Sequence, residues 1–391
     1  MSSSFLLSAV RTPLASFQGA LTAFTSPQLG SVVIREALKR AKLSAEVVQD
    51  VIMGCVLPAG VGQAPARQAA LGAGLLEAVH ALTVNKVCSS GLVSIMLADQ
   101  FLRLGETDLC IAGGMESMTN APYFLPKARA GLRLGDAPII DGMVFDGLRD
   151  AFDGKHMGVH AEACAVKYGF TRELQDAFAV ESYKRAQRAI AEKTFIEEIV
   201  PVELSSKHGV TFFAEDEEPG KVKFDKISSL SPVFDKQGTI TAANASSLSD
   251  GAACVVVASE NAVKKLNVTP IARIVAQASH SQEPKWYSTA PVGAIKNVLQ
   301  KANLTVADID YFEINEAFSC VTMAAIKDLG LDPAKVNVNG GAVALGHPIG
   351  ATGARLVVTL LTTLKKRNAR RGLVALCNGG GEATAMIVER V

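Results

Sequence analysis

Residues 34–54 read IREALKRAKLSAEVVQDVIMG, and residues 295–315 read IKNVLQKANLTVADIDYFEIN. Side by side, Ile34 meets Ile295, Leu38 meets Leu299, Ala41 meets Ala302, Leu43 meets Leu304 and Ser44 meets Thr305. Each stretch carries apolar residues at helical spacing, then a Ser/Thr turn, then an apolar run of strand length. Farther on, Gly91 opens a helix leading to the strand LCIAGG (109–114), and Gly353 sits in a helix leading to ALCNGG (375–380). This shared order says that one unit occurs twice. Strands alternating with helices make each unit α/β, with helices on both faces of its sheet. In between, roughly 115–248, glycines, prolines and charges are denser, as in NAPYFLPKARAGLRLGDAP and AEDEEPGKVKF. That texture fits an insertion lying over one end of the sheets, where open α/β folds bind ligands.

At 391 residues the chain is too long for one ordinary domain. With 49% hydrophobic and only 20% charged residues, it can bury a large core and a subunit interface besides. A formal net charge of +1 gives no sign of a nucleic-acid or membrane partner. The basic run Lys365, Lys366, Arg367, Arg370, Arg371 follows an apolar helix and reads as its solvated end. Seven scattered cysteines without a CxxC or a Cys/His cluster disfavour a disulfide framework or a zinc site, and fit a reducing compartment. The start, MSSSFLLSAVRTP, reads as a first strand rather than a signal peptide, and Glu389-Arg390-Val391 is not a peroxisomal address. No apolar stretch reads as a membrane span, so the expectation is a soluble, cytoplasmic protein.

Four segments carry chemistry. Asn85-Lys86-Val87-Cys88-Ser89-Ser90-Gly91 precedes an apolar helix. A cysteine at a helix start feels the positive dipole end and free N–H groups, which favour the thiolate. Cysteine is equally a buried core residue, but the small neighbours allow close approach of a substrate. Residues 339–353, NGGAVALGHPIGATG, hold five glycines and one histidine, His347. Glycines admit a ligand close to the backbone, and Pro348 holds His347 extended. The Lys-Ser/Thr ending of a phosphate loop is missing. Leu376-Cys377-Asn378-Gly379-Gly380-Gly381-Glu382 ends a strand; Cys377 there is a proton donor and acceptor or a plain buried thiol. Asn315, in Asn315-Glu316-Ala317-Phe318, is a holder of water or oxyanion, or a helix N-cap.

Taken in order, NKVCSSG, NEAF, GGAVALGHPIGATGAR and CNGGG resemble the thiolase family over essentially the whole chain. The resemblance implies a five-layered αβαβα fold of two similar halves plus a loop domain. Residues 1–117 with 249–270 would form the N-terminal half, 118–248 the loop domain for coenzyme A and oligomer contacts, and 271–391 the C-terminal half. It implies reversible Claisen condensation of two acetyl-CoA to acetoacetyl-CoA and CoA through an acyl-cysteine. Cys88 matches the nucleophile and His347 the residue that activates it. Cys377 matches the acid/base at the α-carbon, and Asn315 the holder of a water in one oxyanion hole. The N–H groups of Cys88 and Gly379 match a second hole. Ser246 matches a contact to the pantetheine arm, in a tunnel walled by Leu148, His156, Met157, Phe234, Ala242, Leu248, Ala317 and Phe318. Met157 and Tyr287 match residues that narrow the acyl pocket and favour acetoacetyl-CoA over long chains. His160 departs from the small residue of many short-chain members.

No cofactor is required on this reading, with coenzyme A as substrate and product. The CNGGGE ending resembles a mitochondrial-type subgroup, which implies potassium at Tyr183, Ala242, Ala243, Ala245 and Val343, mostly through backbone carbonyls. The expected assembly is a homodimer, or a homotetramer joined through the loop near 120–140. A β-ketoacyl synthase would need a second motif histidine where Cys377 stands. A broad degradative 3-ketoacyl-CoA thiolase and a noncatalytic CoA- or lipid-binding relative are the remaining alternatives. All four catalytic positions are filled, which weighs against the binder.

Overall fold

The computed structural model describes residues 3–207 and 209–391. In the first half the strands run in the order His80–Val84, Asp50–Gly54, Leu109–Ser117, Ser249–Ser259, Ser4–Arg11. The first two pairings are parallel and the next two antiparallel. In the second half Tyr311–Ile314, Arg371–Asn378, Glu382–Arg390 and Ala272–Ser281 follow one another as parallel, antiparallel, antiparallel. A parallel bridge from Phe312 to Val336 stands where His80–Val84 stands in the first half. The repeat read from the helices therefore extends to the whole sheet order.

Equivalent strands also meet. Ser4–Arg11 and Ala272–Ser281 pair antiparallel through Phe5–Arg273 and Leu6–Ala272. Antiparallel pairing of a strand with its own counterpart is what a local two-fold axis produces, and it joins the two sheets at one edge.

Side chains alternate between layers, as strand geometry requires. Cys254, Val256 and Ala258 face a cluster with the helix Ser26–Ala41, while Ala253, Val255 and Val257 face the centre. Val374 and Leu376 share that centre, whereas Leu373 and Ala375 pack outward against the helix Ala290–Ala302. Two helices, Ser90–Leu104 and Thr352–Lys366, fill the space between the sheets. Helix, sheet, paired helices, sheet and helix make up the five layers.

The two central helices cross at glycines. A Cβ on Gly353 would lie 2.3 Å from the Leu92 N, and one on Gly91 would lie 2.9 Å from the Ala354 N. Side chains there would separate the helix starts, and with them the loops carrying Cys88 and His347.

Two readings of the sequence need correction. Strand register places Asp50 opposite Cys110 and Tyr311 opposite Gly372. Since the repeat pairs Asp50 with Tyr311, Glu116 is the counterpart of Asn378. The glycine-ended strings LCIAGG and ALCNGG are thus matched four residues out of step. Furthermore, Val87–Leu104 is one stretch long and apolar enough, by length and composition, to cross a membrane. Its apolar residues instead pack between the two sheets against Leu356, Val357 and Leu360.

The segment between the halves carries the helices Met157–Tyr168 and Arg172–Ala191 and two short β-ribbons. The basic run at 365–371 is largely paired, with Lys365 at 2.5 Å from Glu197 and Arg371 at 2.5 Å from Glu389.

Candidate active site

Cys88 stands one residue before Ser89, which caps the helix Ser90–Leu104. Val87 beside it has φ +48°, a costly left-handed conformation for a β-branched residue. Ser90 holds that turn: its hydroxyl accepts the Lys86 N–H at 2.8 Å and donates to the Val87 carbonyl at 2.6 Å. Cys88, half-buried, opens onto a cavity of about 570 Å³ lined also by Met157, Tyr287 and Phe318. Burial pushes its thiol up to about 12, although its own N–H and that of Gly379 favour the thiolate. Lost hydration thus opposes the helix start, whose dipoles favour the thiolate.

His347 is gripped from both sides. Its Nδ1 lies 2.6 Å from Thr352 Oγ1, and that hydroxyl lies 2.9 Å from the Pro348 carbonyl. The threonine has one proton. Donated to Pro348, it leaves only a lone pair toward Nδ1, so Nδ1 carries the ring proton. Across the ring, Asn315 Nδ2 approaches Nε2 at 3.4 Å, a donor facing the remaining lone pair. Burial, with help from the Arg355 cation, holds the imidazole down at about 3. His347 is a neutral base whose Nε2 accepts.

Asn315 is no N-cap, because the next helix begins at Ser319 with Phe318 as its cap. It faces His347 Nε2 and is not among the cavity-lining residues, and its buried Oδ1 has no partner among the described residues. Cys377 is 1% exposed at the end of Arg371–Asn378 and lines the cavity with Cys88, His347 and Gly379. Burial first, and the neighbouring Cys88 second, raise its pKa far above the ordinary thiol value.

Polar residues on the two equivalent strand ends exchange contacts between halves. Asn378 Oδ1 accepts the Ser89 hydroxyl at 2.7 Å. Its counterpart Glu116 accepts the N–H groups of Gly350 at 2.8 Å, Val56 at 3.0 Å and Leu57 at 3.1 Å. Burial pushes Glu116 up to about 7. Each half thereby holds the other half's reactive loop.

The cavity wall includes every residue expected to meet coenzyme A: Leu148, His156, Met157, Phe234, Ala242, Ser246, Leu248, Tyr287, Ala317 and Phe318. His156 stacks on Phe234 at 4.6 Å and caps the helix Met157–Tyr168 by accepting the Gly158 N–H. Gly158 is needed there, since a Cβ would lie 2.3 Å from the Phe234 ring. The Ser246 hydroxyl donates to the Ala317 carbonyl at 2.9 Å, tying two walls together. The Tyr287 hydroxyl donates to the Met157 carbonyl at 3.0 Å, so the two narrowing residues are mutually fixed. His160 is buried, with Nε2 at 3.2 Å from Asp153 Oδ1.

Met118, Met143, Val233 and Ile349 also line the cavity and were not foreseen. Met118 directly follows a strand whose register could have revealed it; Met143 and Val233 sit in irregular segments without a period. Of the residues matched to potassium, Tyr183 and Val343 share one apolar cluster, and Ala242 and Ala245 line the cavity beside Glu218. Burial, then Glu218 and Glu316, raises the Tyr183 phenol above its usual range.

Residues 4–261 match the family model described as Thiolase, N-terminal domain, and residues 268–390 match Thiolase, C-terminal domain. The acetyl-CoA acetyltransferase of Cupriavidus necator is 49% identical over 387 residues, covering 98% of each chain. That of Escherichia coli (strain K12) is 48% identical over 393 residues, covering 100% of both, and that of Schizosaccharomyces pombe is 46% identical over 389 residues, covering 99% of this chain and 98% of its own. The Acat5 thiolase from Ascaris suum, solved in complex with coenzyme A, superposes with a TM-score of 0.95 at 42% identity, covering 100% of both chains. By its layered, twice-repeated fold, its paired cysteines and these full-length likenesses, the chain belongs to the thiolase family.

Proposed function

We propose that this chain is an acetyl-CoA C-acetyltransferase that joins two acetyl-CoA into acetoacetyl-CoA, and cleaves it in reverse. The observation that carries the reading is the convergence of Cys88, His347, Cys377 and Gly379 on one cavity narrowed by Met157 and Tyr287.

In the first half-reaction His347 Nε2 takes the Cys88 proton, and the thiolate attacks the thioester carbon. The N–H groups of Cys88 and Gly379 receive the oxyanion, worth about 3–4 kcal/mol per donor in comparable sites. Cys377, protonated at rest, passes its proton to the departing CoA sulfur and becomes a thiolate. In the second half-reaction that thiolate removes the α-proton of a second acetyl-CoA. Its enolate oxygen would lie toward His347 and a water that Asn315, whose buried Oδ1 has no partner among the described residues, would hold. The carbanion attacks the acetyl group, and Cys88 leaves, recovering its proton from His347. Every proton is returned.

The test is CoA-dependent cleavage of acetoacetyl-CoA beside a medium-chain 3-ketoacyl-CoA. Cleavage of the short substrate alone is expected. Comparable rates on both would make this a broad degradative thiolase, and cleavage of neither by folded protein would leave a CoA binder.

Potassium belongs to the same proposal. A buried phenol, backbone carbonyls and a nearby carboxylate suit a weakly hydrated monovalent cation near the cavity. Bound there, it would supply charge that steadies the Ala242–Ala245 wall. Equal activity in potassium and in a bulky ammonium salt would end that part. We also propose a homodimer or homotetramer in the cytosol. The edge strand His80–Val84 has one unpaired side with Leu82 exposed, and Tyr123, Leu134 and Ile139 are exposed on the arm near 120–140.

A further inference from the structure

Below the His347 clamp lies a second layer of polar residues that the proposed mechanism does not use. Thr352 and Arg355 stand one turn apart on the same face of the helix Thr352–Lys366. Glu313 and Asn315 stand two residues apart, at the end of Tyr311–Ile314 and just beyond it. Thr352 and Asn315 grip His347 from opposite sides, at 2.6 Å and 3.4 Å. Arg355 Nη1 and Glu313 Oε2 approach at 3.6 Å, with both side chains at most 1% exposed. The same helix and the same strand therefore meet twice, once through the histidine and once through an ion pair.

Arg355 is unusual in what it lacks. None of its three side-chain nitrogens has a hydrogen-bond partner among the described residues, and neither does Glu313 Oε2. Arg11, the other buried arginine of this region, is saturated by Glu198 and Asp216 at 2.6–2.8 Å. A guanidinium taken from water without hydrogen bonds is expensive, and an apolar residue of similar volume would commonly be as stable or more so. Stability alone thus gives no account of Arg355.

We propose that Arg355, paired with Glu313, is a positioning residue for His347. The pair braces the helix bearing Thr352 against the strand end bearing Asn315, and its cation disfavours the imidazolium, whose Nε2 must exchange the Asn315 Nδ2 contact for the Cys88 proton. Burial drives His347 toward the neutral form first, and Arg355 adds to it. The charged groups around Arg355 are Glu313 and Glu316 from its strand-end side, Arg11 from the first half and Glu198 from the segment between the halves. Burial raises Glu313, with Arg355 opposing. This inference rests on the reading of His347 as the base for Cys88.

The experiment is the pH dependence of the CoA burst released when the full enzyme is mixed with acetyl-CoA, for wild type, Arg355→Met, Arg355→Lys and Glu313→Gln. Absence of a burst in wild type would remove the underlying reading, independently of the variants. With a burst present, Arg355→Met removes the cation and makes imidazolium easier to form. The acid limb of its profile then moves to higher pH and the burst slows by roughly tenfold or more, with KM for acetyl-CoA changed by about twofold at most. Arg355→Lys keeps the charge and keeps the limb near its wild-type position, even where rate is lost. Glu313→Gln keeps the cation, and the limb stays or moves down. Slowing in Arg355→Met without movement of the limb would show a merely structural arginine and overturn the proposal. If that variant does not fold, an upward shift in Arg355→Lys or Glu313→Gln overturns it equally.

Discussion

Cys88, the proposed nucleophile, has its thiol pushed up by burial, which favours a thiol at rest over a preformed anion. Its neighbour His347 is held neutral, so the two do not form a resting ion pair. Alkylation of the free enzyme by iodoacetamide should accordingly keep rising with pH beyond the ordinary thiol range near 8.5. A plateau at neutral pH would mean a thiolate–imidazolium pair and would contradict this account. The sign follows from the anion: raising the pKa lowers the reactive fraction at every pH below it. Cys377 differs in role, not in state. Cys377→Ala should still take up labelled acetyl from acetyl-CoA, more slowly because CoA must leave as the thiolate, while condensation falls further, by roughly 10³-fold or more, as for loss of a general acid/base. Equal loss of both half-reactions would leave Cys377 with no separate role at the α-carbon. The motifs made both cysteines visible; their protonation was not visible, because it depends on exclusion of water by residues distant in sequence.

Among the elements, the crossing of Ser90–Leu104 and Thr352–Lys366 matters most, since each helix start carries one side of the chemistry. Gly353→Ala would place a Cβ 2.3 Å from the Leu92 backbone nitrogen, which cannot rotate away. Overpacking of this kind costs roughly 1–3 kcal/mol, and here it also separates Cys88 from His347. A lower denaturation midpoint together with a depressed CoA burst is expected. Unchanged burst kinetics in a destabilised protein would show that the crossing serves stability alone. Glu116 and Asn378 act at the same scale, since each reaches from one half to the reactive loop of the other. The helices and strands themselves were legible, because amphipathic period and turn residues lie within single elements. The strand-end equivalence was not, because glycine-ended strings look alike at several offsets and only the ladder registers the strand.

On the scale of the whole molecule, two copies of one α/β unit face each other across a local two-fold axis and build a single site between them. The paired edge of Ser4–Arg11 with Ala272–Ser281 closes one side of each sheet, while His80–Val84 remains an edge with exposed Leu82. An unpaired, partly apolar edge is a pairing surface. Leu82→Lys is expected to lower the sedimentation mass of the assembly to that of smaller species at micromolar concentration. An unchanged mass would move the interface elsewhere. The sequence by itself determined the repeat, the α/β class and the candidate reactive residues, since periodicity and short motifs are local properties of the chain. Only the tertiary structure decided the tautomer of His347, the burial of Cys377, the Met118 and Met143 wall and the Arg355–Glu313 pair. These arise from distances between residues far apart in sequence, and from the water that the folded layers exclude.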